Sequence, residues 1–134
     1  LNNTLELTTD DIIAIQANLL ARMNAPDSPP LRRGDLDSAV QRYRNAAAYE
    51  GADLIRQAVI LATSLSQAQA FLDGNKRVGF AAADIFLRIN GLLFSGPPLE
   101  MARWIEVVAE ANREDRTAAI EEFGKWLRLH ICKQ

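Results

Sequence analysis

Asp73-Gly74-Asn75-Lys76-Arg77 places an acid, a glycine, an amide and two adjacent cations at the expected start of a helix. A helix N-terminus already carries partial positive charge on N–H groups that lack an intrahelical acceptor. A first turn chosen for helix stability alone therefore favours Asp or Glu over Lys and Arg. Two cations beside such amides make sense where a polyanion sits, and phosphate is the usual one. Asp73, just upstream, has the chemistry to hold the metal ion that accompanies a nucleoside triphosphate. A solvated basic turn with Asn75 as its N-cap fits the same spacing, so the pentapeptide leaves two readings open.

Downstream, the pattern predicts a helix from about Asn75 to Ile89. Gly79, Ala81, Ala82 and Ala83 are small and would let neighbouring helices approach closely. Val78, Ala82, Ile85 and Ile89 read as its core face, and Asp84 with Arg88 as an i,i+4 pair on its exposed face. Asn90-Gly91 suits a helix end with Gly in a left-handed cap. Upstream, Ile55, Ala58, Ala62 and Leu65 mark one buried stripe of a helix from about Ala52 to Ala68. Gln69 is the next member of that stripe. It is expected to point inward, either hydrogen-bonded in a core or lining a site, and the neighbouring Asp73 to Arg77 favour the site. Phe71 is expected to pack inward and fix the loop.

The remaining segments are also helical. Thr8-Thr9-Asp10 is a good cap region ahead of Ile12, Ile15, Leu19 and Met23. Residues 24 to 30 hold three prolines and read as a loop. Asp35 could cap a helix carrying Leu36, Val40 and Tyr43. Arg44 to Gly51 has no clear period and reads as a loop or a two-stranded flap. Leu92 to Pro98 reads as a loop or short hairpin. Pro97-Pro98 then opens a helix bearing Met101, Trp104, Ile105 and Val108. A last helix carries Ala119, Phe123, Trp126, Leu127 and His130, with its aromatics in the core and His130 a partly exposed structural residue. The expected fold is all-α: one compact domain over residues 1–134, with about six helices around a buried motif helix and at most a small β-hairpin flap.

Composition narrows the function. A chain of 134 residues is long enough for a sizeable core. Its net charge of −2 argues against a general nucleic-acid binder. No apolar run approaches the length of a membrane span and no leader-like pattern stands at the start, so a cytoplasmic location is expected. Cys132 and His130 are the only residues of their kinds. They allow no internal disulfide, no typical zinc site and no separate Ser-His-Asp site.

Gln69-Ala70-Phe71-Leu72-Asp73-Gly74-Asn75-Lys76-Arg77, followed by Phe86-Leu87-Arg88-Ile89-Asn90-Gly91, resembles the signature of the Fic/Doc family. That signature reads His-x-Phe-x-Asp-(Gly or Ala)-Asn-(Gly or Lys)-Arg, with Phe-Leu and Asn-Gly one helix later. The motif covers residues 69 to 91, and the helical pattern on both sides resembles small Doc-type toxins. The resemblance implies a transferase that uses ATP with Mg²⁺. Lys76 and Arg77 would meet phosphate charge. Phe71, Gly74, Asn75 and the helix N–H groups would shape the nucleotide-binding loop, and Asp73 would hold the metal. Residue 69 would be the general base acting on a target hydroxyl, but this chain has Gln69 where the family keeps His. Gln has no protonation change near neutral pH, and loss of a general base commonly costs about 10²–10⁴-fold in rate. Whether Gln69 is natural or introduced is left open by the sequence.

A second departure selects a branch. Adenylylating Fic proteins usually have Gly where this chain has Lys76, and a further Arg where it has Phe80. Doc-type toxins carry the Lys. They resemble kinases that transfer the terminal phosphate of ATP to elongation factor Tu, and their partner is a Phd-like antitoxin. The expectation is therefore a Doc-like toxin weakened at Gln69, with no membrane or direct nucleic-acid partner. The alternatives are an adenylylating Fic protein and a catalytically dead member that binds nucleotide or antitoxin. Residues 42 to 50 stand where Fic proteins carry a target-docking flap.

Overall fold

The computed structural model describes residues 3–134. In chain order these form α1 (Thr9–Arg22), α2 (Arg33–Glu50), α3 (Leu54–Ala68), α4 (Asn75–Ile89), β1 (Leu92–Phe94), α5 (Pro98–Glu110), α6 (Arg113–Arg128) and β2 (Ile131–Lys133). The all-α expectation of about six helices holds, with a two-stranded antiparallel sheet as the only β-structure among the described residues.

α3 and α4 form the centre. α3 packs against α2, α4, α5 and α6, and its largest interface is with α4. Gly79 explains how closely the two approach: a Cβ there would stand 2.5 Å from the Ala62 carbonyl oxygen. Ala58, Leu61, Ala62 and Leu65 of α3 meet Val78, Ala82, Ala83, Phe86 and Leu87 of α4 in one buried cluster. Full burial of side chains such as Leu61, Phe86 and Leu87 stabilises the fold by about 1.5–3 kcal/mol each. The buried face of α4 keeps Val78 and Ala82 as expected but departs from the expected stripe toward the end of the helix. Ile85 is only partly buried and Ile89 is 40% exposed, while Phe86 and Leu87 are fully buried. The small residues draw α3 onto the side of the helix that Gly79, Ala83 and Phe86 share, and the stripe follows them.

Several local signals act as read, with shifted ends. Thr8 caps α1 in a reciprocal capping box with Asp11. Asp53 caps α3 by accepting from the Arg56 N–H, so that helix starts at Leu54, two residues later than expected. Pro98 opens α5, Asp84 pairs with Arg88 at 2.8 Å, and Gly91 is left-handed at φ 85°. Asp35 does not cap α2; it lies in the first turn, and Arg32 occupies the N-cap without a side-chain bond.

The segment 44–51 is not a loop or flap. α2 continues through it to Glu50 and ends at Gly51 in the left-handed conformation. The Ala46-Ala47-Ala48 run has high helix propensity, and Tyr43 and Ala46 are buried, so the helix has both local and tertiary reasons to persist. Tyr43 also holds the N-terminal segment: its hydroxyl accepts from Leu7 N–H at 2.7 Å and donates to Leu7 C=O at 2.8 Å. Nor do residues 92–98 fold back on themselves. β1 pairs with β2, Leu92 opposite Lys133 and Phe94 opposite Ile131. α6 ends at Arg128, so His130 lies in the turn before β2 rather than in the helix; its ring is 4.7 Å from that of Trp126. Phe94 joins an aromatic cluster with Phe80, Trp126, Trp104 and Phe123 that closes this end of the bundle. Among the described residues no helix is long and apolar enough to cross a membrane.

Candidate functional site

The link from α3 to α4 is a short, heavily tied loop. α3 stops at Ala68 because Gln69 adopts a left-handed conformation, φ 48° and ψ 44°, uncommon for a residue other than glycine. That turn sends the chain inward, and Ala70 and Phe71 are buried. The Ala70 carbonyl accepts from the N–H groups of Leu31 at 2.8 Å and Arg32 at 3.2 Å. The Asn75 amide clamps Phe71 on both sides, accepting from its N–H at 3.1 Å and donating to its carbonyl at 3.0 Å. Asp73 Oδ1 accepts from Gly74 N–H at 2.7 Å, and Gln16 of α1 donates to the Asp73 carbonyl at 3.0 Å. Gly74 is the N-cap of α4 at φ 77°, a value that favours glycine.

This loop aims the N-terminus of α4 into a cleft of about 380 Å³. Gln69, Leu72, Asp73, Gly74, Asn75, Lys76 and Arg77 line one side, the end of α3 contributes Ser66 and Gln67, and Glu106, Ala109 and Glu110 of α5 form the facing wall. The first turn of α4 contains no acidic residue. The Asn75, Lys76 and Arg77 N–H groups precede the first intrahelical bond, which runs from Val78 N–H to the Gly74 carbonyl. They are the free donors that an anion at a helix N-terminus uses.

The two cations are not equivalent. Lys76 is in an ion pair with Glu106. The hydrogen bond to Glu106 and the charges of Glu106 and Glu110 hold the ammonium pKa above its usual value, and the Lys76 bond and charge hold the Glu106 carboxyl below its own. Arg77 is exposed and makes no ion pair or side-chain hydrogen bond among the described residues. It is the cation available to a ligand.

The sequence expectations divide here. Gln69, Asp73, Gly74, Asn75, Lys76 and Arg77 do come together around one cleft. Gln69 does not continue the α3 stripe inward. The helix has ended, the left-handed turn redirects the side chain, and Gln69 is exposed at the cleft, which removes the hydrogen-bonded-core alternative. Phe71 packs inward as expected but does not line the cleft, and it belongs to the loop's anchor rather than to the cleft wall. The Asn75 amide is committed to Phe71, and only the Asn75 backbone N–H is left for an anion. Glu106, Glu110 and Gln16 were not singled out by sequence reading. The i,i+4 spacing of the two glutamates, opposite the buried Met101, Ile105 and Val108, was the available signal for the first two.

No group of three or more His, Cys, Asp or Glu side chains among the described residues could cage a metal ion. Asp73 offers one exposed carboxylate at the mouth of the cleft. That donor set fits Mg²⁺, which is usually held by one or two carboxylates together with substrate phosphates and water.

Fold and site together define an all-α protein whose central helix presents a basic, amide-rich N-terminus to a cleft. A family model described as the Fic/DOC family matches residues 6–87, more than half of the chain. The chain belongs to the Fic/DOC family. The match takes in α1, α2, α3, the whole loop from Gln69 to Gly74 and nearly all of α4, while the glutamate-bearing α5 lies beyond it. No curated protein matches the chain. Proteins of this family in general catalyse nucleotide-dependent modification of other proteins, which supports a Fic-type protein transferase.

Proposed function

We propose that the protein is a Doc-like toxin: an ATP-dependent phosphotransferase of low activity that modifies an elongation factor Tu-like protein and arrests translation. The observation that carries this reading is the α4 N-terminus, where unshared N–H groups and the unpaired Arg77 line one cleft together with Gln69. Phosphoryl transfer asks mainly for positioning and charge neutralisation. Arg77 and the N–H groups of Asn75, Lys76 and Arg77 would hold the phosphates of ATP. Asp73 would hold Mg²⁺, which neutralises phosphate charge when bound. In the transfer, the target hydroxyl oxygen forms a bond to the terminal phosphorus, the bond to the bridging oxygen breaks, and ADP leaves. The hydroxyl proton must go to a base. Gln69 stands where the family's His stands and can orient the hydroxyl by hydrogen bonding, but it cannot take the proton, which passes instead to water in the open cleft, so that transfer is slow.

Position 80 supports phosphoryl over adenylyl transfer. Phe80 packs edge-on against Phe94 at 6.1 Å in the aromatic cluster, so the place of the second phosphate-binding Arg of adenylylating relatives is used for packing. A groove between α1, α4 and α5 runs on from the cleft, with Leu19, Phe80, Ala81, Leu99 and Ala102 among its lining residues. Leu99 is 85% exposed there. An amphipathic segment of a Phd-like antitoxin fits such a surface. The protein would act in the cytoplasm, where translation takes place.

The deciding experiment gives parent and Gln69→His protein ATP labelled on either the terminal or the first phosphate, in a translation extract. We expect terminal label on a protein target, with transfer raised by about 10²–10⁴-fold in the His form. Label from the first phosphate would instead make it an adenylyltransferase. Equal transfer by both forms would show that residue 69 is not the base position, and no transfer by either would leave a nucleotide- or antitoxin-binding module.

A further inference from the structure

Gln16 is a buried polar residue beside the candidate site with one end unsatisfied. It lies on α1, on the side turned toward the α4 N-terminus, and is 2% exposed. A buried amide normally satisfies both ends. Here Nε2 donates to the Asp73 carbonyl at 3.0 Å, while Oε1 is buried with no hydrogen-bond partner. The unpaired oxygen and one donor meet at Gly74. A point where a Cβ would stand on Gly74 lies 3.7 Å from Gln16 Oε1, 3.5 Å from Gln16 Nε2 and 3.1 Å from Arg77 Nη1. The amide and the guanidinium thus both approach the point that a Gly74 side chain would occupy. Arg77 is otherwise unbonded among the described residues, and its Nη1 and the unpaired Oε1 each lie within 4 Å of that one point.

We infer that Gln16 is a positioning residue for the α4 N-terminal site: its Nε2 holds the Asp73–Gly74 turn, and its Oε1 is the rest on which the Arg77 guanidinium docks when the site takes a phosphate-type anion. This inference rests on the anion reading of that site. Docking would leave the remaining guanidinium donors of Arg77 for the ligand and fix their direction, which lowers the cost of ordering a flexible cation at the moment of binding. A carboxylate at position 16 would not serve. It has no proton for the Asp73 carbonyl and would compete with the ligand for Arg77. The absence of a side chain at Gly74 is part of the same arrangement, because a methyl group there would crowd Arg77 Nη1 at 3.1 Å.

The test compares the parent with Gln16→Leu, which keeps the volume and removes both hydrogen-bonding atoms. ¹⁵N NMR follows the Arg77 Nε–Hε and Gly74 amide resonances, with and without inorganic pyrophosphate, and calorimetry measures pyrophosphate affinity. The expected result is a folded variant whose Arg77 Nε–Hε resonance moves and whose pyrophosphate affinity falls about tenfold. If Gly74 shifts while Arg77 does not, Gln16 is only a turn clamp and the inference is overturned. If the parent binds no pyrophosphate, the anion reading fails and the inference falls with it, whereas clear binding by the parent with an unmoved Arg77 signal overturns the inference alone. Should Gln16→Leu not fold, Gln16→Glu takes its place. There the carboxylate is expected to capture Arg77, shifting its resonance and weakening pyrophosphate, and an unmoved Arg77 signal again overturns the inference.

Discussion

Arg77 stands beside three unshared backbone N–H groups with no carboxylate of its own among the described residues, whereas Lys76 already shares Glu106. Arg77→Ala should therefore weaken ATP binding more than Lys76→Ala does. Loss of hydrogen bonds to a charged group costs about 1.5–3 kcal/mol, or roughly tenfold to a hundredfold in affinity. Calorimetry on the two variants checks this, and unchanged affinity in Arg77→Ala with clear binding by the parent would remove it from the site. At this scale the sequence was informative where chemistry is contiguous. Asp73 to Arg77 could be read as anion-receptive because two cations oppose a helix dipole. It was uninformative about orientation. Gln69 extends a perfect inward spacing, yet one left-handed residue turns it to the cleft, and no periodicity signals where a helix will stop. Gln16 reads as an ordinary polar position on an amphipathic helix until α4 is seen to cover it.

At the scale of elements, the contact that matters most is the one with least side chain in it. Gly79 lets α4 lie directly on the Ala62 backbone, and this holds the N-terminus of α4 at the cleft. Gly79→Ala gains about 1 kcal/mol in helix propensity but forces the helices apart, and overpacking of this kind costs about 1–3 kcal/mol. The atom in the way is a backbone carbonyl that cannot rotate aside, so the steric cost should prevail. The expected outcome is a lower melting temperature together with weaker ATP binding, since the loop from Gln69 to Gly74 is tied to both helices. A melting temperature at or above that of the parent would show that the helices separate freely. The small residues of α4 made this approach legible in the sequence. The extension of α2 was not, because Ala46-Ala47-Ala48 shows no apolar period and its helicity depends on propensity and on the burial of Tyr43. The β1–β2 pair was equally hidden: three-residue strands far apart in the chain leave no local pattern.

For the whole molecule, the groove along α1, α4 and α5 is the surface on which a partner segment should register. A Phd-like antitoxin that binds only the folded protein, at about a hundred times its dissociation constant, adds about 2.7 kcal/mol. The melting temperature should then rise by on the order of 10 °C. Leu99→Asp, at an exposed position away from the cleft, should abolish that rise and leave the protein's own melting point unchanged. No thermal shift and no complex on gel filtration with the antitoxin encoded beside the gene would rule the surface out. The Lys76–Glu106 pair has a consequence for how any polyanion enters. The chain carries a net charge of −2, and the cation nearest the helix end is already neutralised from within. A triphosphate that takes Lys76 must evict a carboxylate, so binding is an exchange of one anion for another. Its dependence on ionic strength should then be shallower than the number of cations in the cleft would suggest, because the displaced Glu106 regathers the counterions that the ligand sheds.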